Sequence, residues 1–497
     1  MSVVDSLLEL GELAGGHRPW ARAHVSARDW QIAGERLAAG EVSLLGLWAD
    51  ERLVHMALFE AEPARIGVLS VAAVAGCFPS IGRRHPPAQR LERAIRDLHG
   101  LSAEGAGDTR PWLDHGRWKN EELRQTYRFL PVEGESLHEI PVGPVHAGII
   151  EPGHFRFTAN GETVVRLEAR LGYVHKGIER LMCGADLGRA AILAARISGD
   201  STVAYGLAFA RAAEAALGIE VPARAHWLRA LMAELERLAN HFGDIGAICN
   251  DAAFALMHSH CGALRERVLR ASEAAFGHRL MRDRIVPGGV ACDLSPDGAR
   301  AIAALVSEAR RRFPALVELY DNTASLQDRT VGTGLARPAL IKQYGCGGPI
   351  GRASARAFDA RVQLSYPPYE ALLFNYDVPV LADGDVNARL WIRIREVEQS
   401  LALVEQILAR MPVQGAIRVP VAGTGKACEG LALVEGFRGD VLAWVRLDAK
   451  AQIERCHLRD PSWFQWPVLE AAIENNIVAD FPLCNKSFNC SYSGHDL

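Results

Sequence analysis

The chain has 497 residues, of which 49% are hydrophobic and 23% are charged, so its composition excludes a fibrous or mainly disordered protein. Its 55 Lys and Arg residues and 59 Asp and Glu residues give a net charge of −4. A chain so close to neutrality has no overall basic field, and we therefore expect no nucleic-acid partner.

The ten cysteines are scattered, and no two of them have C-x-x-C spacing. Zinc and iron–sulfur sites usually take ligands from closely spaced pairs, so we expect reduced thiols and no metal in this chain. Residues 1–10 lack the basic start of a signal peptide, and the longest uncharged stretch, 66–82, favours a strand and turn over a membrane span. This pattern predicts a chain that is soluble by itself and can dock onto a membrane partner.

The sequence of the first quarter of the chain predicts a small α+β domain, which we place at residues 1–118. Two apolar runs within 42–59 flank a polar turn and predict a hairpin, and 66–75 predicts a third strand. A helix is expected to open near Pro86 and to end at Gly100, since proline favours the first turn of a helix and glycine its C-cap.

A second domain is predicted at residues 131–497, after a polar linker at 119–130. Apolar residues recur every three or four positions across 228–245 and 394–408, which predicts two long helices with buried seams. The fold class is therefore α+β, with a mainly helical second domain.

Searches for general catalytic motifs find no phosphate-binding loop, no G-x-S-x-G elbow and no H-E-x-x-H zinc motif. Longer motifs do carry information, and they follow one another along the chain at residues 140–156, 172–180, 221–224, 284–290, 384–389, 435–440 and 459–462. In this order they resemble the large subunit of membrane-bound, energy-converting (group 4) nickel–iron hydrogenases. That family includes the formate hydrogenlyase large subunit and is homologous to the 49-kDa subunit of respiratory complex I.

Residues 78–100 are similar to the 30-kDa subunit of complex I. The resemblance implies an N-terminal docking domain without a cofactor. It also implies a hydrogenase-large-subunit-like domain with a long-helix bundle and small peripheral sheets.

The chain departs from the family at the four cysteines that hold nickel and iron. The family motif R-x-C-G-x-C reads R-I-S-G-D-S at 196–201, which leaves Ser198 and Ser201. The motif D-P-C-x-x-C aligns with Ser491 and Gly494, and shifting the register by one residue restores Cys490 but not the second cysteine. At most one of the four ligands therefore remains. A serine hydroxyl is a harder and far less acidic ligand than a bridging thiolate. These four positions are therefore predicted to be vestigial, with no nickel–iron centre and no hydrogen chemistry.

A quinone pocket is a second expectation from the resemblance. The quinone-binding relatives carry a tyrosine where this chain has Gly199, and their two-histidine motif becomes His146 and His154. If the segment after Ser198 is helical, Tyr205 follows it by about two helical turns and could supply the missing phenol. A tyrosine–histidine pair can hydrogen-bond quinone carbonyls and deliver protons, so His146 and Tyr205 are the predicted quinone-binding residues.

Glu151, His154 and Asp200 complete the predicted catalytic set, because buried carboxylates and imidazoles can relay protons. Bland alternatives remain open at this point. The two histidines could equally be strand-end residues that hydrogen-bond to the backbone. Glu151 and Asp200 could equally form structural salt bridges.

Three functions are compatible with these residues. The first is a redox subunit that passes electrons from a partner iron–sulfur subunit, to quinone or to another acceptor, with coupled proton or ion translocation. The second is a non-catalytic scaffold that transmits conformational change between that subunit and the membrane arm. The third is a hydrogenase with unusual ligands.

The resemblance also implies partners and a location. The partners are an iron–sulfur small subunit like the B component of complex I, a ferredoxin-like subunit, and membrane subunits like the H component of complex I and its antiporter-like subunits. The expected location is the cytoplasmic face of the cell's inner membrane.

Overall fold

A computed structural model describes residues 2–118, 127–146, 150–373 and 376–497. Most of the predicted linker lies outside these residues, so the proposed domain boundaries stay predictions. The predicted α+β class is confirmed, because long helices and several small sheets share the chain.

The N-terminal part contains three helices: α1 (Val3–Leu8), α2 (Ala27–Ala38) and α3 (Gln89–His99). Its strands are β1 (Glu12–Leu13), β2 (His17–Arg18), β3 (Arg22–His24), β4 (Ser43–Ala49), β5 (Leu53–Ala61), β6 (Ala64–Ala72), β7 (Cys77–Pro79) and β8 (Ser102–Glu104). One five-stranded sheet has the order β1-β3-β6-β5-β4, and β7 pairs with β8. The predicted hairpin is β4–β5, and Gly100 caps α3 with a φ of 69°.

The larger part is mainly helical. Its strands are β9 (Leu137–Val142), β10 (His154–Asn160), β11 (Thr163–Arg170), β12 (Ile285–Val286), β13 (Gly289–Val290), β14 (Cys428–Gly436), β15 (Gly439–Leu447) and β16 (Ile453–Arg459). Its helices are α4 (Ile178–Met182), α5 (Leu187–Ala194), α6 (Thr202–Leu217), α7 (Ala223–Asp251), α8 (Ala255–Phe276), α9 (Pro296–Asp321), α10 (Ala324–Thr330), α11 (Pro338–Tyr344), α12 (Gly348–Arg352), α13 (Ala360–Gln363), α14 (Tyr369–Leu372), α15 (Val386–Arg410), α16 (Ser462–Ala472), α17 (Phe481–Phe488) and α18 (Tyr492–Asp496).

The two predicted long helices are α7 and α15, and they pack together with α8 and α9 around one apolar core. Helix α6 lies between this bundle and the hairpin β14–β15. The start of α6 and the turn of that hairpin are therefore held against each other, which is what positions the site described below.

The N-terminal part contributes directly to a sheet of the larger part. Strand β2 pairs in parallel with β14, and the sheet order is β16-β15-β14-β2. Beside it, the guanidinium of Arg22 donates to both carboxylate oxygens of Glu429, at 2.9 and 3.0 Å, and both residues are buried. Across the described ranges, no helix has the length and apolar character needed to cross a bilayer.

Candidate functional site

A polar cavity of about 300 Å3 lies where the start of α6, the β14–β15 turn and the α17–α18 junction meet. We call it the polar cavity. Its walls are formed by Ile150, Glu151, Ser198, Gly199, Asp200, Arg438, Asn485, Lys486, Asn489, Cys490, Ser491, Tyr492 and Ser493. Four separate stretches of the chain thus bring hydroxyl, amide and charged groups to one place.

An ion pair between Asp200 and Arg438 dominates one wall. The guanidinium donates to both carboxylate oxygens, at 2.9 and 2.6 Å, and also to the carbonyl oxygen of Asn489. Arg438 is buried, whereas about a third of the Asp200 side chain is exposed. Although burial opposes ionisation, the charge of Arg438 lowers the pKa of Asp200 to about 2.

The two serines of the first family motif belong to this cluster. The hydroxyls of Ser198 and Ser201 donate to Oδ1 of Asp200, at 2.6 and 3.2 Å. The Ser201 hydroxyl also accepts from Arg438 at 3.0 Å. Both hydroxyls are thus hydrogen-bonded to the Asp200–Arg438 ion pair.

The two positions that align with the second family motif are Ser491, which lines the polar cavity, and Gly494, which does not. Ser491 caps α18, since its hydroxyl accepts from the backbone N–H of Gly494 at 2.8 Å. A β-carbon placed on Gly494 would lie 2.7 Å from Cγ of Asp460. That carboxylate is held on both sides, because Tyr205 donates to Oδ2 at 2.6 Å and the N–H of Ser462 donates to Oδ1 at 2.8 Å.

These residues do not fit a nickel–iron centre. The four positions offer three hydroxyls and no thiol, and a side chain at Gly494 would meet Asp460. Cys490 lies beside them, but burial raises the pKa of its thiol well above the ordinary value. In the described part of the chain, no cluster of three or more His, Cys, Asp and Glu side chains could hold a metal ion.

The predicted quinone-binding residues, His146 and Tyr205, do not face the polar cavity together. Tyr205 is fully buried, and its hydroxyl donates to Asp460 rather than facing the polar cavity. Burial and the charge of Asp460 raise the pKa of Tyr205 well above its ordinary value. The ring of His146 lies 6.4 Å from that of Tyr492, which places it next to the cavity wall.

Two other predicted catalytic residues, His154 and Glu151, lie in different environments. His154 begins β10, and its Nδ1 lies 3.2 Å from the carbonyl oxygen of Gly143, the backbone contact that the bland alternative describes. Glu151 does line the polar cavity, where its carboxylate accepts from the N–H of Ser493 at 2.9 Å. The catalytic roles of these residues stay predictions.

Sequence reasoning missed Arg438 and Asp460 as site residues. Both fall within motifs that carried the resemblance, at 435–440 and 459–462, so the signal was present. The motifs showed that both residues belong to stretches shared with the family, but not which side chains they contact.

Two family models match the chain. One, described as the 49 Kd subunit of respiratory-chain NADH dehydrogenase, matches residues 251–424, and one described as nickel-dependent hydrogenase matches residues 176–243. Formate hydrogenlyase subunit 5 of Escherichia coli (strain K12) is 30% identical over 444 residues, covering 84% of this chain and 77% of the relative. The chain belongs to the family of group 4 nickel–iron hydrogenase large subunits and complex I 49-kDa subunits. The resemblance stated from the motifs is thereby confirmed.

Other members of this family show the same extent of likeness. Hydrogenase-4 component G of the same bacterium is 31% identical over 445 residues, which is 84% of this chain and 76% of the relative. A solved chain of the membrane-bound sulfane sulfur reductase, an archaeal respiratory membrane complex, is 26% identical. It superposes with a TM-score of 0.68, over 74% of this chain and 100% of the other. The family architecture thus extends over most of this chain.

Proposed function

We propose that this chain is a subunit of a membrane-associated, complex I-like oxidoreductase whose nickel–iron site has been replaced by an acceptor pocket. An iron–sulfur subunit delivers electrons to the polar cavity. Relatives support this assignment, because one is a formate hydrogenlyase subunit and another belongs to a respiratory membrane complex.

One observation carries the proposal. The Asp200–Arg438 pair and the hydroxyls of Ser198 and Ser201 saturate one another where the family motif would place thiolates. A cavity of about 300 Å3 nevertheless remains in front of them, which is the size range of a small organic ligand. The cavity therefore lies beside the positions that the family motifs assign to metal ligands.

Quinone is the acceptor class that we propose for this space. Its carbonyl oxygens need hydrogen-bond donors, and Lys486, Asn485 and Ser493 bring such groups to the wall. Lys486 takes the donor role that the sequence assigned to Tyr205. Membrane partners, one like the H component of complex I and others antiporter-like, would couple this reduction to proton or ion translocation at the cytoplasmic face of the membrane. The electrons would arrive through a ferredoxin-like subunit and a small iron–sulfur subunit like the B component of complex I.

Metal content distinguishes this function from hydrogenase activity. Mass spectrometry of the anaerobically purified complex is expected to show no nickel per copy of this chain, because the four positions supply no thiolate. Iron should match only the clusters of the partner subunits. About one nickel per chain would overturn the proposal and would require a site built from hydroxyls and Cys490.

Replacing Lys486 distinguishes an acceptor pocket from a scaffold. Lys486→Met is expected to lower kcat/KM for a short-chain quinone by about 10- to 100-fold, since a charge-assisted hydrogen bond contributes about 1.5–3 kcal/mol. The measurement is oxidation of the dithionite-reduced complex by quinone. Lys450→Met, at an exposed turn, is the matched control and should match the wild type. Equal rates in all three proteins would favour the scaffold instead.

A further inference from the structure

A second, much smaller cavity lies behind the polar cavity, and we call it the rear cavity. Its volume is about 20 Å3, enough for one water molecule. Gly199 and Asp200 line both cavities, so the two share a wall at this turn. On its other side the rear cavity is lined by Arg265 and Arg279, which are exposed. The two cavities together therefore extend from the proposed acceptor site towards solvent.

Glu236 is the carboxyl group that lines the rear cavity together with Asp200. It projects from α7, and its carboxylate accepts from the backbone N–H groups of Val203 and Ala204, at 2.7 and 3.0 Å, in the first turn of α6. The neighbouring Arg237 turns its guanidinium towards other carboxylates, with Nε 3.3 Å from Glu234. Glu236 is thus buried and anchored by backbone groups rather than by a cation.

We infer that Glu236 is a proton-transfer residue that exchanges protons between surface water and the polar cavity across the Gly199–Asp200 turn. The inference rests on the proposed function and deepens it. Reduction of a quinone to a quinol takes up two protons with two electrons. In each transfer the Glu236 carboxyl gives its proton towards the acceptor and regains one from water on the side of Arg265 and Arg279.

The charges around Glu236 suit this role. Burial raises the pKa of Glu236 to about 8, and the nearby charge of Asp200 acts in the same direction. Arg237 on its own helix opposes the shift, and Arg265 and Arg279 face the cavity from the other side. The group is therefore mainly protonated at neutral pH and close to its own titration point, where a carboxyl can both release and regain a proton.

The chain offers a matched control in Glu92. That side chain is also buried and accepts from two backbone N–H groups, those of Ile81 and Gly82, at 2.6 and 2.9 Å. Burial also raises the pKa of Glu92, yet the residue belongs to the N-terminal part and lines neither cavity. Glu92→Gln and Glu236→Gln thus make the same chemical change in similar surroundings.

The test uses the purified complex and two measurements. Infrared difference spectra across pH 5–10 are expected to show a carboxylic acid band that titrates near pH 8 and is absent from Glu236→Gln. Quinone reduction by the reduced complex should fall about 100-fold in Glu236→Gln, the order of effect found for a positioned acid or base. Its pH profile should lose the alkaline limb, and Glu236→Asp should recover part of the rate. Glu92→Gln should keep the wild-type rate and profile.

The two measurements separate this inference from the proposed function. A Glu236 band that titrates near pH 4, or a normal rate and pH profile in Glu236→Gln, would overturn the inference. If the wild-type complex reduces no quinone, the proposed function fails. The infrared titration then still decides whether Glu236 holds an exchangeable proton, and a band near pH 8 would leave only the acceptor in error.

Discussion

Asp200→Asn is expected to destabilise the protein by about 3 kcal/mol. The change leaves the buried Arg438 guanidinium without its counter-charge and keeps the shape of the side chain. Removing one partner of a buried ion pair costs about 3–5 kcal/mol, and the low end applies because Asp200 is partly exposed to the polar cavity. Chemical denaturation of the purified subunit, monitored by fluorescence, measures the change in the free energy of unfolding.

A double-mutant cycle with Arg438→Met separates the ion pair from general disruption. Each single variant leaves one charge unpaired, so the double variant should be more stable than the sum of the two losses predicts, by about 2 kcal/mol. The coupling should also depend on pH in a defined direction. The folded pKa of Asp200 lies below its unfolded value, so the stabilisation is fully present above about pH 4 and is lost as pH falls towards 2.

Two results would contradict this account of the site. Strict additivity of the two variants would show that Asp200 and Arg438 do not act as a pair. A coupling that persisted unchanged at pH 2 would show that the charge of Asp200 is not its source. Either result would remove the physical basis for calling the cluster a substitute for the metal ligands.

The three-to-four-residue spacing of apolar side chains was enough to predict the long helices of the core. The apolar patterns at 228–245 and 394–408 lie inside α7 and α15, and both helices extend beyond them at each end. The predicted hairpin and the helix ending at Gly100 also depend on local chemistry alone. Such elements are readable because the information lies within a few residues.

The site is harder because its contacts are distant in sequence. Asp200 and Arg438 are 238 residues apart, and no local pattern states that they meet. The loss of thiolates at Ser198 and Ser201 was visible from the motif, whereas the ion pair that occupies their surroundings was not. The motif shows serine where the family pattern has cysteine, and only the packing shows the ion pair beside these serines.

Tyr205 illustrates a second limit. Helix α6, which carries Tyr205, is buried on almost every side. An amphipathic pattern normally indicates which face of a helix meets a cavity, and a helix buried all round gives no such signal. The hydroxyl of Tyr205 consequently donates to Asp460 in the interior, where it holds the carboxylate that lies next to Gly494.

Gly494→Ala is expected to destabilise the protein by about 1–3 kcal/mol, the usual cost of overpacking a well-packed core. The new methyl group would lie 2.7 Å from Cγ of Asp460, and that carboxylate cannot turn away without losing its bonds from Tyr205 and Ser462. Cysteine at this position would bring the same β-carbon and a larger sulfur atom. Gly494→Cys should therefore cost at least as much as Gly494→Ala, and thermal unfolding of the two variants measures both effects.

Gly262→Ala is the matched control, because Gly262 lies within α8 and a β-carbon there would meet no atom within 4 Å. Alanine should stabilise that helix by up to about 1 kcal/mol, so the two glycine-to-alanine changes are expected to have opposite signs. If Gly494→Ala were neutral, Asp460 would have to be mobile, and the loss of the fourth cysteine would be readily reversible. Destabilisation by Gly494→Ala, relieved by adding Asp460→Ala, would instead show that Asp460 and Gly494 exclude the ligand together.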